Sequence, residues 1–153
     1  YEIRLSLVGS EMCIRDSHYT FERLFQGHDA SVQVIRWNRG GTFLVTADVD
    51  ANVRYWDPAM KLLEDFKAHR DAVRGIDFAP GDSKYVTCSD DGVVRQWDFA
   101  SQPPRAEAEM RNHGSNVTGV AWHPVKSLVA SCSRDGTVKL WDPTMGATEL
   151  LTL

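Results

Sequence analysis

A tryptophan–aspartate pair ends three segments of this chain, and each tryptophan stands 28 residues after a histidine. Two further positions keep the same register: a hydroxyl residue 18 positions after the histidine, and an aspartate four residues later. The recurring residues are His28, Thr46, Asp50 and Trp56, then His69, Thr87, Asp91 and Trp97, and finally His113, Ser131, Asp135 and Trp141. So regular a recurrence identifies an internal repeat of about 40 residues.

The connections between the repeats vary in length, whereas the repeats themselves do not. Successive tryptophans are 41 and then 44 residues apart, and the extra residues fall between Trp97 and His113. That interval contains Pro103 and Pro104, and prolines lack the N–H group that a strand ladder needs. We therefore expect the insertion to lie in a surface loop and to leave the strands intact.

Within each repeat, short apolar runs are separated by turn residues such as Pro80-Gly81-Asp82. This pattern predicts strands at 73–78, 84–88 and 93–97 in the second repeat and at 117–122, 128–132 and 137–141 in the third. Segments 62–67 and 106–110 occupy equivalent positions; the latter is compatible with a helical turn, but its alternation favours a strand. Four short antiparallel strands in about 40 residues are typical of a β-propeller blade.

Three units, GHDASVQVIRWNRGGTFLVTADVDANVRYWD, AHRDAVRGIDFAPGDSKYVTCSDDGVVRQWD and NHGSNVTGVAWHPVKSLVASCSRDGTVKLWD, resemble the WD-repeat family. The resemblance implies an all-β WD-repeat β-propeller fragment of about three four-stranded antiparallel blades plus one outer strand of a preceding blade. The expected ranges are 18–27 for that outer strand and 28–68, 69–112 and 113–153 for the repeats, the last of which breaks off at its outer strand. Because such propellers close with about four to eight blades, we expect the chain to be a fragment of a longer protein.

The recurring histidine, aspartate and hydroxyl could suggest nucleophilic catalysis, since a serine hydrolase uses the same residue types. A hydrolase needs one such triad, whereas this chain has three in register, each with a tryptophan. We therefore expect each set to form a buried hydrogen-bonded chain that holds its blade together. On this interpretation the protein has no catalytic residue and is not an enzyme.

The cysteines and the net charge exclude other functional classes. Cys88 and Cys132 occupy one register position, where the first repeat has Ala47, and this equivalence favours a small structural residue over a metal ligand. A formal charge of −4 provides no general attraction for nucleic acid, and no apolar run approaches the roughly 20 residues of a membrane span. We expect an intracellular, soluble protein without a metal, a cofactor, a membrane partner or a small-molecule substrate.

A basic residue precedes each repeated tryptophan by two positions: Arg54, Arg95 and Lys139. Such a recurrence is typical of solvated or ion-paired strand residues. A line of three cations could also follow a phosphate chain, and the sequence leaves both interpretations open.

The segments FERLFQGHDASV, SDDGVVRQWDF and HGSNVTGVAWHPVKSLV are similar to the WD-repeat subunits of the pre-mRNA cleavage and polyadenylation machinery. This resemblance implies a nuclear, non-catalytic scaffold and RNA-binding subunit whose partners are the other subunits of that complex and the AAUAAA region of pre-mRNA. Phe21 and Leu24 match positions that contact the RNA bases in that family, although Phe21 could instead pack against a neighbouring blade. The alternative is a generic WD-repeat protein–protein scaffold, such as a ubiquitin-ligase receptor or a signalling adaptor.

The first 17 residues, YEIRLSLVGSEMCIRDS, fit no strand of the repeat. The string LSLVGSEMCIRDS resembles translated adapter or assembly sequence. We therefore expect residues 1–17 to be a non-native or disordered leader, in which Cys13 has no function.

Overall fold

The computed structural model describes residues 27–99, 101 and 104–153 in full, and the backbone of three strands that precede residue 27. The described strands form four antiparallel sheets, in each of which the strands follow one another in chain order. Two compact units result, Tyr1–Ala30 and Ser31–Leu153. None of the described residues belongs to a helix long and apolar enough to cross a membrane.

The first unit contains a three-stranded sheet made of β1 (Glu2–Ser6), β2 (Glu11–Arg15) and β3 (Thr20–Leu24). Residues 1–17 therefore contribute β1 and β2 to a sheet that is not one of the four-stranded repeats, and their interpretation as a non-native or disordered leader stays a prediction. The sequence of β1, EIRLS, alternates polar and apolar residues, which is the period of a strand. The antiparallel register also places Ile14 opposite Ile3 on one side and opposite Phe21 on the other.

The second unit contains three four-stranded sheets, which we call blades 1, 2 and 3. Blade 1 consists of β4 (Val32–Trp37), β5 (Leu44–Asp48), β6 (Asn52–Trp56) and β7 (Leu62–Lys67). Blade 2 consists of β8 (Val73–Phe78), β9 (Lys84–Ser89), β10 (Val94–Asp98) and β11 (Ala106–Met110). Blade 3 consists of β12 (Val117–Trp122), β13 (Val129–Ser133), β14 (Val138–Asp142) and β15 (Thr148–Thr152). The predicted all-β fold with three four-stranded antiparallel blades is confirmed.

The third strands of blades 2 and 3, β10 and β14, begin one residue later than predicted. The N–H groups of Val93 and Thr137 donate to the carboxylates of Asp91 and Asp135, at 3.0 and 2.8 Å. An N–H bound within a turn cannot also bind the neighbouring strand, so the ladder starts at the following residue.

The blades pack side by side, and the core lies between them. The first strands are neighbours: β8 contacts β4 on one side and β12 on the other. Every residue of β5 is buried, as is nearly every residue of β9, because these strands lie within their sheets and are covered on both faces. One apolar cluster includes Val45, Val53, Ile76 and Tyr85, and a second joins residues of blades 2 and 3, among them Val86, Met110, Val129 and Trp141.

Two aspartates of blade 2 fasten it to its neighbours. The Asp82 carboxylate accepts hydrogen bonds from the N–H groups of Arg39 and Gly40 in the first turn of blade 1, at 2.8 and 2.7 Å. On the other side, Asp77 accepts the N–H of Trp122 in β12 at 2.6 Å. These bonds fix the turns at one end of the blades relative to each other, since each joins two sheets.

Candidate functional site

The second repeat brings its four predicted residues into one continuous hydrogen-bonded chain. The indole N–H of Trp97 donates to the Thr87 hydroxyl at 2.9 Å, and the same hydroxyl lies 2.7 Å from Nε2 of His69. Nδ1 of His69 lies 3.0 Å from an Asp91 carboxylate oxygen. His69, Thr87 and Trp97 are all buried. We call this arrangement the blade 2 relay.

The geometry of the blade 2 relay assigns the position of each proton. Because an indole N–H can only donate and a carboxylate can only accept, the Thr87 oxygen accepts from Trp97, and Nδ1 of His69 carries the proton that is donated to Asp91. Burial keeps His69 neutral, so Nε2 is an acceptor and receives the Thr87 O–H. All three bonds are satisfied by this one arrangement.

The charges in the blade 2 relay agree with this assignment. Burial lowers the pKa of His69, and the hydrogen bond to Asp91 offsets only part of that effect. Burial tends to raise the pKa of Asp91, but hydrogen bonds from His69 and from the N–H groups of Arg70 and Val93 lower it to about 2. At neutral pH the relay therefore joins a neutral imidazole to an ionised carboxylate.

The third repeat forms the same chain with a serine in place of the threonine. The Trp141 indole N–H donates to the Ser131 hydroxyl at 2.8 Å, and Nε2 of His113 lies 2.7 Å from that hydroxyl. Nδ1 of His113 lies 3.1 Å from Asp135. Hydrogen bonds, of which the largest contribution comes from the Thr137 hydroxyl, hold the pKa of Asp135 well below its usual range.

The first repeat contains the same tryptophan–hydroxyl bond. The Trp56 indole N–H donates to the Thr46 hydroxyl at 2.8 Å, as in the other repeats. Asp50, however, is exposed, and its N–H donates to the buried Asp48 carboxylate at 3.0 Å. His28 belongs to the first unit, whereas the other three residues belong to the second, so a complete relay in this repeat stays a prediction.

The structure identifies one polar position per repeat that the sequence analysis missed, two residues before the repeated aspartate. Ser89 donates to the Asp71 carbonyl at 2.8 Å and accepts the Asp91 N–H, and Ser133 makes the equivalent pair of bonds. Asp48 occupies this position in blade 1 and accepts the N–H groups of Asp50 and Asn52. The serines recur in register, but the aspartate in the first repeat conceals the pattern.

The relays share the distances of a hydrolytic triad but not its accessibility. Thr87 and Ser131 are 0% and 2% exposed, so a substrate carbonyl cannot reach either oxygen. Each oxygen also accepts an indole N–H, which occupies a lone pair that a nucleophile would use. The arrangement is therefore suited to holding neighbouring strands and loops together, which is the role proposed for it.

Cys88 and Cys132 face a glycine on the neighbouring strand. Gly75 pairs with Cys88, and a Cβ built on Gly75 would lie 2.9 Å from the cysteine sulfur. Gly119 pairs with Cys132 in the same way, at 3.0 Å. Burial is the main cause that raises the pKa of Cys88. Among the described residues, no cluster of histidine, cysteine or carboxylate side chains could hold a metal ion.

The three basic positions each pair with an acidic residue on the outer strand of their own blade. Arg54 lies 2.9 Å from Asp65, Arg95 lies 2.8 Å from Glu109, and Lys139 lies 2.9 Å from Glu149. Lys139 and Arg95 are also largely buried. These contacts favour the ion-paired interpretation over a row of cations that follows a phosphate chain.

The predicted RNA-contacting residues Phe21 and Leu24 lie on β3, the edge strand of the first unit's sheet. Their side chains are outside the described residues. Contact of either residue with RNA, and the assignment of 18–27 as the outer strand of a preceding blade, stay predictions.

Comparison with known proteins gives consistent matches. The family model "WD domain, G-beta repeat" matches residues 19–57, 60–98 and 105–142. The Polyadenylation factor subunit 2 of Cryptococcus neoformans is 35% identical over 96 residues, which are 63% of this chain and 13% of that protein. Protein HIR1 of Gibberella zeae is 34% identical over 88 residues, which are 57% of this chain and 8% of that protein. The solved structure of U3-55K aligns with 84% of this chain and 40% of its own, at a TM-score of 0.77 and 17% identity, and so bears on the fold alone.

Proposed function

Because this chain belongs to the WD-repeat family, we propose that it acts in the nucleus as a non-catalytic scaffold and RNA-binding subunit of the pre-mRNA polyadenylation machinery. The observation that carries the proposal is the 35% identity with Polyadenylation factor subunit 2 over 96 residues. The segments FERLFQGHDASV and SDDGVVRQWDF, which resemble the same class of subunit, also support it.

The absence of catalysis is supported by the blade 2 and blade 3 relays. Their hydroxyl groups, on Thr87 and Ser131, stand where the nucleophile of a triad would stand, and both are buried. The protein then contributes binding surfaces, and the chemistry of cleavage and adenylation belongs to its partners.

RNA contact on such a protein depends on base stacking more than on charge. The chain carries a formal charge of −4, and its three repeated basic residues are held by carboxylates. An aromatic side chain can stabilise a stacked base by about 1–3 kcal/mol without a basic surface. Phe21 is the proposed platform for a base of the AAUAAA hexamer, and Leu24 is the second position on β3 that matches an RNA-contacting residue of that family.

Substitution of Phe21 tests the RNA contact. In a reconstituted polyadenylation complex that contains this protein, Phe21→Ala should weaken binding of a fluorescent AAUAAA RNA by about 5- to 100-fold, because a stacked base is lost. Thr20→Ala, a neutral change on the same strand, should leave the affinity unchanged. If complexes with Phe21→Ala and Thr20→Ala bound the hexamer with equal affinity, Phe21 would not be an RNA-contacting residue.

The similarity to Protein HIR1 supports the alternative, a generic WD-repeat protein–protein scaffold. Purification of the tagged protein from cells, with quantitative mass spectrometry of its partners, separates the two functions. Stoichiometric polyadenylation subunits are expected. A set of partners without any of those subunits would favour the alternative.

A further inference from the structure

A groove of about 650 Å³ lies between blades 2 and 3, at the end where the first and second strands of each blade are joined. Its lining includes Pro80 and Lys84 of blade 2 and Val125 and Lys126 of blade 3. Gln96 and Trp122 also line it. None of the relay residues lines the groove.

Two buried polar groups that line the groove have no hydrogen-bond partner among the described residues. They are the indole N–H of Trp122, a residue that is 6% exposed, and the side-chain oxygen of Gln96, which is 4% exposed. Trp122 is not one of the relay tryptophans, all of which donate to a hydroxyl. Buried polar atoms are nearly always paired, so an unpaired donor and an unpaired acceptor that line one groove point to a ligand.

The orientation of Gln96 is fixed by its neighbours. Its amide nitrogen donates to Glu107 at 2.7 Å, and Lys84 donates to the same carboxylate at 2.6 Å. The amide oxygen is thereby committed to the acceptor role. A ligand at this point must supply an N–H for Gln96 and an acceptor for Trp122, which is the pair of groups that a peptide backbone carries.

The rim of the groove is apolar on one side and carries one unpaired cation. Val125 is 81% exposed, and Pro80 and Pro143 also line the groove. Lys126 is exposed and forms no ion pair with any described residue, whereas Lys84 is paired with Glu107. A peptide carries the N–H donor and the carbonyl acceptor on one backbone and can add an aliphatic side chain for the apolar rim, so a peptide fits the groove better than RNA does.

We propose that this groove binds an extended segment of a partner protein in which an aliphatic residue stands beside an acidic one. The segment's backbone pairs with Trp122 and Gln96, its aliphatic side chain packs on Val125 and Pro80, and its carboxylate pairs with Lys126. This site does not depend on the RNA contact proposed for Phe21.

Fluorescence anisotropy with two labelled nine-residue peptides tests the proposal on the full 153-residue chain. One peptide has the central sequence Glu-Leu-Pro-Glu, and the other has lysine in place of both glutamates. The acidic peptide should bind, and Lys126→Glu should weaken its binding by about tenfold or more. Lys61→Glu, the same change at an exposed lysine outside the groove, should alter the affinity by less than about twofold.

Trp122→Phe supplies a second readout, because it removes the indole N–H and keeps an aromatic ring. The substitution should weaken binding of the acidic peptide by about fivefold or more. The far-UV spectrum of the variant should match that of the unsubstituted chain. The proposal would be overturned if the acidic peptide did not bind or if the two peptides bound equally. It would also be overturned if Lys126→Glu left the affinity for the acidic peptide unchanged. Binding of AAUAAA RNA that Lys126→Glu abolishes, without peptide binding, would assign the groove to nucleic acid instead.

Discussion

At the scale of single residues, the blade 2 relay explains why four residue types recur together. Thr87 is the central member, since its oxygen accepts from Trp97 and its proton goes to His69. The relay requires a neutral imidazole, because protonation of Nε2 would leave the Thr87 O–H without its acceptor. The stability of the blade is therefore linked to the protonation of one buried histidine.

The lowered pKa of His69 predicts a specific pH dependence of folding. An unfolded histidine titrates near pH 6.5, and the folded His69 titrates below that value, so the unfolded state binds more protons between the two values. The contribution of His69 is complete above about pH 7.5 and is lost as the pH falls from about 7 through the folded pKa. The limiting slope is about 1.4 kcal/mol per pH unit.

Urea unfolding at pH 7.5 and at pH 5.5 measures this dependence, and His69→Gln is the control. The unsubstituted chain should lose more stability between the two pH values than the variant does, because glutamine does not titrate. An identical pH dependence of the two proteins would contradict the linkage.

At the scale of strands, blades 1 and 2 place the larger residue of one cross-strand pair on opposite strands. Blade 1 pairs Val34 with Ala47, whereas blade 2 pairs Gly75 with Cys88 at the same register. Each pair combines one larger and one smaller side chain across the first two strands. The cysteine is therefore tolerated because its partner is glycine.

The Gly75–Cys88 pair gives a test by double substitution. Gly75→Ala would place a methyl 2.9 Å from the Cys88 sulfur and 3.3 Å from Val120, and should destabilise the fold by about 1–3 kcal/mol. In the Gly75→Ala background, Cys88→Ala should restore part of that lost stability, because it removes the sulfur that the new methyl would contact. Urea unfolding of the two single variants, the double variant and the parent measures the coupling, and strictly additive effects would contradict the steric account.

The sequence predicted the strands well where the repeat and the alternation agreed. The limits of β7, β8, β11 and β12 match the predicted segments, whereas β10 and β14 start later because Asp91 and Asp135 bind the first N–H. Contacts between blades were not predictable. The sequence predicts only that Asp82 lies in a turn. Its hydrogen bonds to Arg39 and Gly40 depend on how blades 1 and 2 pack together, which the sequence pattern does not show.

At the scale of the second unit, blades 1, 2 and 3 depend on one another for their cores. Tyr55 and Tyr85 illustrate this: their rings meet edge-on with centroids 5.8 Å apart, and their hydroxyl groups are hydrogen-bonded across the boundary between blades 1 and 2. A four-stranded sheet of this size buries its middle strands only when another sheet covers it. The relays hold blades 2 and 3 internally, and the apolar clusters join the sheets.

Hydrogen exchange of the tryptophan indole protons, measured by NMR, tests the central claim that buried polar relays hold blades 2 and 3 and that the same tryptophan–hydroxyl bond is buried in blade 1. The indole protons of Trp56, Trp97 and Trp141 should exchange slowly and together, since all three donate to buried hydroxyls. Trp37, which is 46% exposed, should exchange rapidly in the same sample. Exchange of the three relay protons as fast as that of Trp37 would contradict the account.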